Sequence, residues 1–440
     1  MKTTLAIASL AIVTLFAANL SAAPLNVVMI VSDDQAWTDY GAMGHATIDT
    51  PHIDRLAAQG AFFTRGYVPS SLCRPSLMSM VTGLYPHQHK VTGNDPVPKT
   101  NRARMLKHIQ AVPTLMGLLG RAGYQSFQTG KWWEGSFRSA GFTHGMSHGD
   151  DAKGGRHGDE GLKIGRDGLK PIYDFIEGCG DKPFFVWYAP MMPHSPHTPP
   201  ARLFAKYEKL VDSPHVARYY AMCEWFDETV GELMAYLDEK NLADDTLVVY
   251  VTDNGWIQDP DSRNYAPKSK QSPYEGGLRT PIILRWPGKI SPAKIETPVS
   301  SVDLAPTILS ACGLTPPASM AGVNLLDLCE GKKIDRDAVF GSTFEHDIPD
   351  IDDPAKGLKY RWCVEGNWKL LLPRSAESPV ELYDLAADPR ETENRASRNP
   401  EIVARLAAKI DAWWPARPSD HADAASPPTG QLESSQSTAR

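Results

Sequence analysis

The sequence Asn26-Val-Val-Met-Ile-Val-Ser-Asp-Asp34 predicts the fold class of this chain. Its short continuous apolar run, rich in β-branched residues, predicts a strand that is buried on both faces of a sheet. The strand leads directly into two carboxylates, Asp33 and Asp34. Ligands of open α/β sheets bind outside the carboxyl ends of the strands, and paired carboxylates there suit a hard cation such as Ca²⁺. An isolated Asp-Asp pair is more often a solvated turn, so this interpretation depends on the rest of the chain.

Three further segments, two of them continuous apolar runs, are predicted to be strands with polar side chains after their carboxyl ends. They are Tyr124–Thr129 followed by Lys131, Pro183–Tyr188 followed by His194 and His197, and Leu247–Val251 followed by Asp253 and Asn254. Together with the first pair, Asp253 and Asn254 make four oxygen side chains for one divalent ion. A lone Lys or His in a loop is usually solvated or structural, and His197 is expected to lie behind His194.

Helical patterns separate these strands. Thr50-Pro51 begins a helix that ends at Gly60, and Thr114 begins another that stops at Gly123. From Ala217 to Leu237, apolar residues recur in alternating steps of four and three, which predicts a helix packed along the sheet.

Ser71-Leu-Cys-Arg-Pro-Ser-Leu-Met-Ser-Met-Val-Thr-Gly83 reads as a loop that leads into a helix. Pro75 suits the first helical turn, where its missing N–H is no loss. Cys73 would then lie at the helix N-terminus, close to free N–H groups and the positive end of the helix dipole. Taken alone, a Cys in this position is more often a buried loop residue.

Length, composition and the chain ends limit the possible classes of protein. With 440 residues and 42% hydrophobic content, the chain can bury one large α/β core and a smaller one. A formal net charge of -7 argues against a nucleic-acid partner. Residues 1–22 resemble a secretory signal, and no later segment is apolar enough to span a membrane. We therefore expect an exported protein, periplasmic or extracellular, whose tail at 418–440 is disordered. Export permits disulfides, but the sequence leaves the pairing of its six cysteines open.

Cys73-Arg-Pro-Ser76, followed after four residues by Val81-Thr-Gly83, resembles the signature of the type I sulfatases, which belong to the alkaline phosphatase superfamily. In that family the Cys is oxidised after synthesis to formylglycine (3-oxoalanine), whose hydrated aldehyde is the nucleophile. The resemblance implies the same change at Cys73 and, as a partner, a formylglycine-generating or sulfatase-maturing enzyme. This chain has Leu77 where the family has Arg. Arg74 is kept as a candidate substrate-binding residue, although it lies about 100° round the helix from Cys73.

Five other motifs resemble the same family, in the family's order. Asp33 with Asp34, and Asp253 with Asn254, correspond to its metal ligands, which implies one Ca²⁺. Further resemblances imply sulfate contacts for three side chains: Lys131 in Gly130-Lys-Trp132, His194 in a His-x-Pro motif, and Lys270 before Glu275-Gly-Gly277, with Lys268 as the less favoured substitute. His194 would also protonate the leaving oxygen. The family's His after Gly-Lys-Trp is replaced by Trp133.

The resemblance covers about residues 26 to 415 and implies both fold and function. The fold is a large mixed, mainly parallel sheet flanked by helices, as in the alkaline phosphatase superfamily, in a catalytic domain at 24–334. A C-terminal subdomain at 335–417 would hold a small antiparallel sheet and one helix. The implied function is a secreted sulfatase. Export and a long Gly-rich loop at 144–170 favour sulfated carbohydrate as its substrate.

Three alternatives remain open at this point. One is a phosphoester or phosphonate hydrolase of the same superfamily. Another is a non-catalytic pseudo-sulfatase that binds sulfated glycans, which Leu77 and Trp133 favour. The third, a secreted structural protein, is disfavoured by the ordered series of metal-ligand residues.

Overall fold

The structure is a computed structural model that describes residues 24–97, 102–149 and 163–416. The predicted signal peptide, the predicted disordered tail and the centre of the Gly-rich loop lie outside these residues. The described strands are, in chain order, β1 (Asn26–Ser32), β2 (Ala61–Tyr67), β3 (Asp95–Pro96), β4 (Gln125–Gly130), β5 (His144–Gly145), β6 (Phe184–Ala189), β7 (Thr246–Thr252), β8 (Arg279–Arg285), β9 (Ala293–Ile295), β10 (Val299–Ser300), β11 (Ala338–Phe344), β12 (Asp347–Ile348), β13 (Leu358–Glu365), β14 (Trp368–Pro373) and β15 (Glu381–Asp384).

The described helices are, in chain order, α1 (Pro51–Gln59), α2 (Cys73–Thr82), α3 (Pro86–His89), α4 (Lys107–Gln110), α5 (Leu115–Arg121), α6 (Lys170–Cys179), α7 (Ala201–Tyr207), α8 (Pro214–Glu239), α9 (Glu275–Leu278), α10 (Leu304–Ala311), α11 (Leu326–Cys329) and α12 (Pro400–Trp413). None of the helices in these ranges is long and apolar enough to cross a membrane.

The main sheet of the described residues has nine strands in the order β10-β2-β8-β7-β1-β6-β4-β5, with β9 also paired to β2. Strand β8 is antiparallel to both β2 and β7, and the other pairs are parallel. The sheet is therefore mixed and mainly parallel, which confirms the fold class expected from the sequence.

Strand β1 lies near the middle of this sheet and is buried along its whole length. Val27, Met29 and Val31 point into one hydrophobic core, while Val28 and Ile30 point into a second core on the opposite face. Helices α2, α5 and α10 cover the first face, and α1, α6 and α8 cover the second. A strand buried on both faces needs apolar residues at every position, which explains the continuous apolar run.

The C-terminal part forms a four-stranded antiparallel sheet in the order β11-β13-β14-β15, and helix α12 packs on it. Its other face joins the first core of the main sheet through Val339, Trp362 and Leu371. All six cysteines lie in the described residues, and all are free thiols.

Candidate active site

Four strand ends deliver the predicted site residues to one edge of the main sheet. Asp33 and Asp34 follow β1, while Asp253 and Asn254 follow β7, its parallel neighbour. Lys131 follows β4, and the chain after β6 leads to His194. Because these strands are parallel, their carboxyl ends share an edge, which is where α/β sheets bind ligands.

Cys73 is the first residue of α2, as the sequence predicts, and it is buried. Its Sγ atom lies 3.3 Å from the Nζ atom of Lys270, which donates to it. Burial raises the pKa of the thiol to about 12, although Lys131 and Lys270 oppose the rise. The unmodified side chain is therefore a protonated thiol at neutral pH and a weak nucleophile.

Lys131 bridges the two strands that carry the carboxylates. Its Nζ atom donates to Asp33 Oδ1 at 2.6 Å and to Asp253 Oδ2 at 3.0 Å. The preceding Gly130 has φ +72°, and a Cβ atom there would lie 1.8 Å from the carbonyl oxygen of Ala189. Only glycine fits that position, so the turn that delivers Lys131 depends on it.

Lys270 reaches the same cluster from a loop that is tied to the Cys73 segment. Its Nζ atom lies 2.7 Å from both carboxylate oxygens of Asp34. The next residue, Gln271, donates its backbone N–H to the carbonyl oxygen of Ser71. Lys268 points elsewhere, because its Nζ atom donates to the carbonyl oxygen of Glu391. Of the two lysines, only Lys270 lies in the cluster, which agrees with its being favoured over Lys268 as the lysine expected to contact sulfate.

The four predicted metal ligands lie together and are almost completely buried. Asn254 Nδ2 donates to Asp34 Oδ1 at 2.7 Å, and Asp253 Oδ1 accepts the backbone N–H groups of Asp34 and Asn254. Among the described residues, Asp33 Oδ2 and Asn254 Oδ1 have no hydrogen-bond partner. Buried oxygens are rarely left in this state, and carboxylate and amide oxygens are the ligands that Ca²⁺ prefers. These side chains therefore fit a divalent metal ion.

The net charge of the cluster also fits a bound cation. Three carboxylates, Asp33, Asp34 and Asp253, face two ammonium groups, which leaves one negative charge in excess. Burial raises the pKa of Asp33 and of Asp253, and their repulsion of neighbouring carboxylates adds to the rise. Burial also acts on Asp34, but its pKa is lowered because Lys270 and His194 stabilise its charge. A further cation would relieve the remaining repulsion.

His194 lies at the edge of this cluster. Its Nε2 atom is 3.3 Å from Asp34 Oδ2, and its Nδ1 atom is 2.5 Å from the carbonyl oxygen of Ser195. Burial lowers the pKa of His194 to about 4, and the nearby lysines add to this effect. One ligand atom each from Asp33, Asp34, Cys73 and His194 lie within 4.8 Å of one another. His197 packs behind His194, with its ring 5.5 Å from that of Tyr219.

Arg74 does not face this cluster, so the prediction that it binds substrate is corrected. Its guanidinium forms two hydrogen bonds with Glu134, at 2.5 and 2.7 Å, and a contact with Met105. The backbone N–H of Arg74 donates to Asn94. A buried bidentate pair holds the guanidinium away from Cys73, in agreement with its position on the helix.

The two positions that differ from the family motifs are apolar here. Leu77 is buried in the first core, and Trp133 is also buried. Glu134 and Asn94 were missed by sequence reasoning. A polar residue at the end of a predicted strand gives a usable signal, but a loop residue that fixes the helix start by a long-range contact does not.

Two family models match the chain. The model described as Sulfatase matches residues 25–314. The model described as N-sulphoglucosamine sulphohydrolase, C-terminal, matches residues 268–413.

Curated relatives agree with these matches. Human N-acetylgalactosamine-6-sulfatase is 29% identical over an alignment that covers 71% of this chain and 67% of the relative. Human arylsulfatase A is 28% identical, over 88% of this chain and 87% of the relative. The N-acetylgalactosamine-6-O-sulfatase of Bacteroides thetaiotaomicron is 24% identical, with 88% and 92% covered.

Solved structures show the same fold. A putative sulfatase of Bacteroides fragilis, yidJ, superposes with a TM-score of 0.75 at 23% identity and covers 91% of this chain and 97% of its own. The protein BT4656, solved in complex with its substrate D-glucosamine-2-N,6-O-disulfate, superposes with a TM-score of 0.72 at 20% identity, with 90% and 98% covered.

The fold and the strand-end site are those of an alkaline phosphatase superfamily hydrolase. Since the Sulfatase model matches residues 25–314, well over half of the chain, the chain belongs to the sulfatase family. It is accordingly a sulfuric ester hydrolase.

Proposed function

We propose that this protein hydrolyses sulfate esters on carbohydrate, with a formylglycine made from Cys73 as nucleophile and one bound Ca²⁺. The observation that carries the proposal is the position of Cys73 Sγ. It lies within hydrogen-bond distance of Lys270, which also contacts the metal-ligand candidate Asp34. The proposed nucleophile, the ammonium of Lys270 and the proposed metal ligand Asp34 are therefore close to one another.

The chain's own residues can perform the remaining tasks of sulfate-ester hydrolysis. Lys131 and Lys270 place two positive charges where the anionic ester must bind, so they offset its repulsion of the nucleophile. His194 has its Nε2 atom directed into the cluster. An anionic ester bound beside it would raise the lowered pKa of the imidazole, so that the protonated ring can give a proton to the departing alcohol oxygen. When present, the metal ion adds positive charge and the hydrated aldehyde supplies the attacking hydroxyl.

Carbohydrate is the favoured substrate class because of the relatives. Several are named for sulfatases of N-acetylgalactosamine, and BT4656 was solved with a sulfated glucosamine. The N-terminal residues 1–22 support export to the periplasm or beyond, where the chain would meet such saccharides. We keep the division into a catalytic domain at 24–334 and a subdomain at 335–417 as part of this proposal.

The test combines mass spectrometry of the Cys73 peptide with an assay of sulfate release, using protein made in a host with sulfatase-maturing activity. We expect an aldehyde at position 73 and release of sulfate from sulfated saccharides, and the Cys73→Ala variant should release none. An unmodified thiol together with saccharide binding but no sulfate release would replace the proposal with a binding-only protein. Faster hydrolysis of phosphate or phosphonate esters than of sulfate esters would favour the other hydrolases of the superfamily.

A further inference from the structure

A cavity of about 330 Å³ opens beside the segment that follows His194. Its wall includes two arginines and two histidines, and none of the residues that line it is acidic. The four side chains are those of His197, His215, Arg218 and Arg263. A cavity of this size is large enough for part of a small ligand, and its wall is suited to an anion.

The two arginines are available to bind a ligand. Among the residues that the structure describes, neither Arg218 nor Arg263 lies within ion-pair distance of a carboxylate. Arg218 stacks its guanidinium on the ring of Phe204, 4.3 Å from its centroid. Stacking occupies the face of a guanidinium and leaves the N–H groups in its plane free to donate.

Helix α8 adds positive potential at the same place. His215 and Arg218 lie in its first turns, and the helix continues to Glu239. The N-terminus of a long helix carries the positive end of its dipole. The wall of the cavity is thus positive because of both its side chains and its backbone.

One layer of side chains separates this cavity from the catalytic cluster. Ser195 lines the cavity, and its carbonyl oxygen contacts His194 Nδ1. The ring of His197 lies 6.1 Å from that of Trp256, whose other contacts include Lys270 Nζ at 5.6 Å from the ring centroid. His194 and His197 are both partly exposed, so a saccharide with its ester at Lys270 and His194 can pass over His197 and place a neighbouring group in the cavity.

We propose that this cavity is a subsite for a second anionic group, a carboxylate or a sulfate, on the saccharide whose sulfate ester is hydrolysed. The inference rests on the proposed function, because it takes the cluster around Cys73 as the reaction centre. Arginine is the side chain best suited to a carboxylate or sulfate, since its planar fork donates two parallel hydrogen bonds. The subsite would select acidic saccharides over neutral ones with the same ester.

The test compares two sulfated disaccharides that differ at one group. The first carries a uronic acid next to the sulfated sugar, and the second is the methyl ester of that uronic acid. We expect the wild-type enzyme to favour the free carboxylate in kcat/KM. In the double variant Arg218→Gln with Arg263→Gln, this preference should fall about tenfold or more, through KM. The matched control is Arg121→Gln, an exposed arginine at the end of α5, and it should keep the wild-type preference.

A third disaccharide, with a second sulfate in place of the carboxylate, shows which anion the subsite prefers. Equal kcat/KM on all three disaccharides, or an unchanged preference in the double variant, would overturn the subsite.

If the wild-type enzyme releases sulfate from none of them, the proposed function fails, and calorimetric binding of the same disaccharides then tests the subsite alone. The subsite is supported if the disaccharides with a second anion bind more tightly than the methyl ester and the double variant loses this difference. It is refuted if all three bind equally well, or if none binds.

Discussion

At the scale of single residues, the four oxygen side chains that we assign to Ca²⁺ lead to a prediction about metal binding. Asp253→Asn removes one charge from the site that we assign to Ca²⁺, and leaves Asp33 as the only carboxylate that accepts a hydrogen bond from Lys131 among the described residues. We expect the variant to lose bound calcium and most activity. Added Ca²⁺ should also no longer raise its melting temperature. A site held at one hundred times its Kd contributes about 2.7 kcal/mol of stability, a clear shift by calorimetry.

Elemental analysis after dialysis gives the calcium content directly. The exposed Asp261→Asn variant, in the loop that follows the same strand, is the control and should keep its calcium. Equal calcium in both variants would remove Asp253 from the set of metal ligands.

Lys268 and Lys270 form a matched pair for testing which lysine contacts the sulfate. They lie two residues apart, but Lys270 contacts Asp34 and Cys73, whereas Lys268 contacts Glu391 and stacks on Tyr274. Lys270→Ala should reduce kcat/KM on every sulfated substrate by at least a hundredfold, because the ester is common to all of them. Lys268→Ala should have a much smaller effect. A loss in Lys270→Ala that is limited to one saccharide would make Lys270 a sugar-binding residue instead.

Leu77 is the position at which this chain differs from the family signature. It lies one turn after Cys73 on α2 and is 3% exposed, packed in the first core. Leu77→Arg should lower stability by about 3 kcal/mol or more, since a guanidinium there would be buried without a carboxylate partner. Leu77→Met nearly conserves volume and should cost less than about 1.5 kcal/mol. Urea unfolding measures both, and a stable, more active Leu77→Arg enzyme would show that the arginine reaches the site.

At the scale of elements, a buried carboxyl couples α1 and α8, two of the three helices on one face of the sheet. Asp227 of α8 accepts backbone N–H groups of His52 and Ile53 at the start of α1, at 3.1 and 2.8 Å. Burial raises the pKa of Asp227 to about 7, although these two hydrogen bonds oppose the rise. A raised pKa in the folded state means that the protonated form is the stabilising one. Its contribution is therefore complete below about pH 4, the value in the unfolded chain, and is lost as pH rises to about 7.

This gives a prediction for stability against pH. As pH rises from 4 to 7, the titration of Asp227 should lower the free energy of unfolding by up to about 1.4 kcal/mol for each pH unit. Asp227→Asn should remove that slope from the wild-type curve, as measured by urea unfolding at a series of pH values. The exposed Asp244→Asn variant should leave it in place. Parallel curves for wild type and Asp227→Asn would contradict the raised pKa.

The existence of strands was easier to predict from the sequence than their direction or the pairing of side chains between distant segments. The strands buried on both faces, such as β1 and β7, show themselves by continuous apolar runs, and the residues after them follow directly. The direction of β8 leaves no such signal, because Pro-Ile-Ile-Leu has the same composition in either orientation. The pairing of Arg74 with Glu134 could not be predicted either, since it depends on how the start of α2 meets a loop 60 residues later in the chain.

At the scale of the whole molecule, the C-terminal sheet is tied to the segment that carries Cys73. The backbone N–H of Ser342 donates to the carbonyl oxygen of Pro69 at 2.8 Å. A Cβ atom on the adjacent Gly341 would lie 2.3 Å from that oxygen and 2.2 Å from the ring of Trp362. The close approach of β11 to the Cys73 loop therefore depends on glycine.

A buried ion network joins the same two parts of the chain. Lys369 of β14 is fully buried and lies 2.9 Å from carboxylate oxygens of both Glu275 and Glu391. Glu391 also accepts the backbone N–H of Glu275 and, through its carbonyl oxygen, the ammonium of Lys268. The segment from Lys268 to Glu275, which carries Lys270, is thus held at both ends by contacts with the C-terminal part of the chain.

These contacts predict that the chain unfolds as one cooperative unit, despite its two sheets. The first core is continuous across both sheets, and its boundary contains charges that are paired only when the sheets are docked. Differential scanning calorimetry should show a single transition. Lys369→Met should lower the melting temperature of the whole transition. The loss of Lys369 leaves two buried carboxylates uncompensated, which should lower the free energy of unfolding by about 3–5 kcal/mol. Lys359→Met, an exposed lysine on the neighbouring strand β13, should change it little. Two separate transitions in the wild-type protein, or a Lys369→Met variant in which only part of the heat absorption moves, would mean that the C-terminal sheet is a separate unit and that the position of Lys270 does not depend on it.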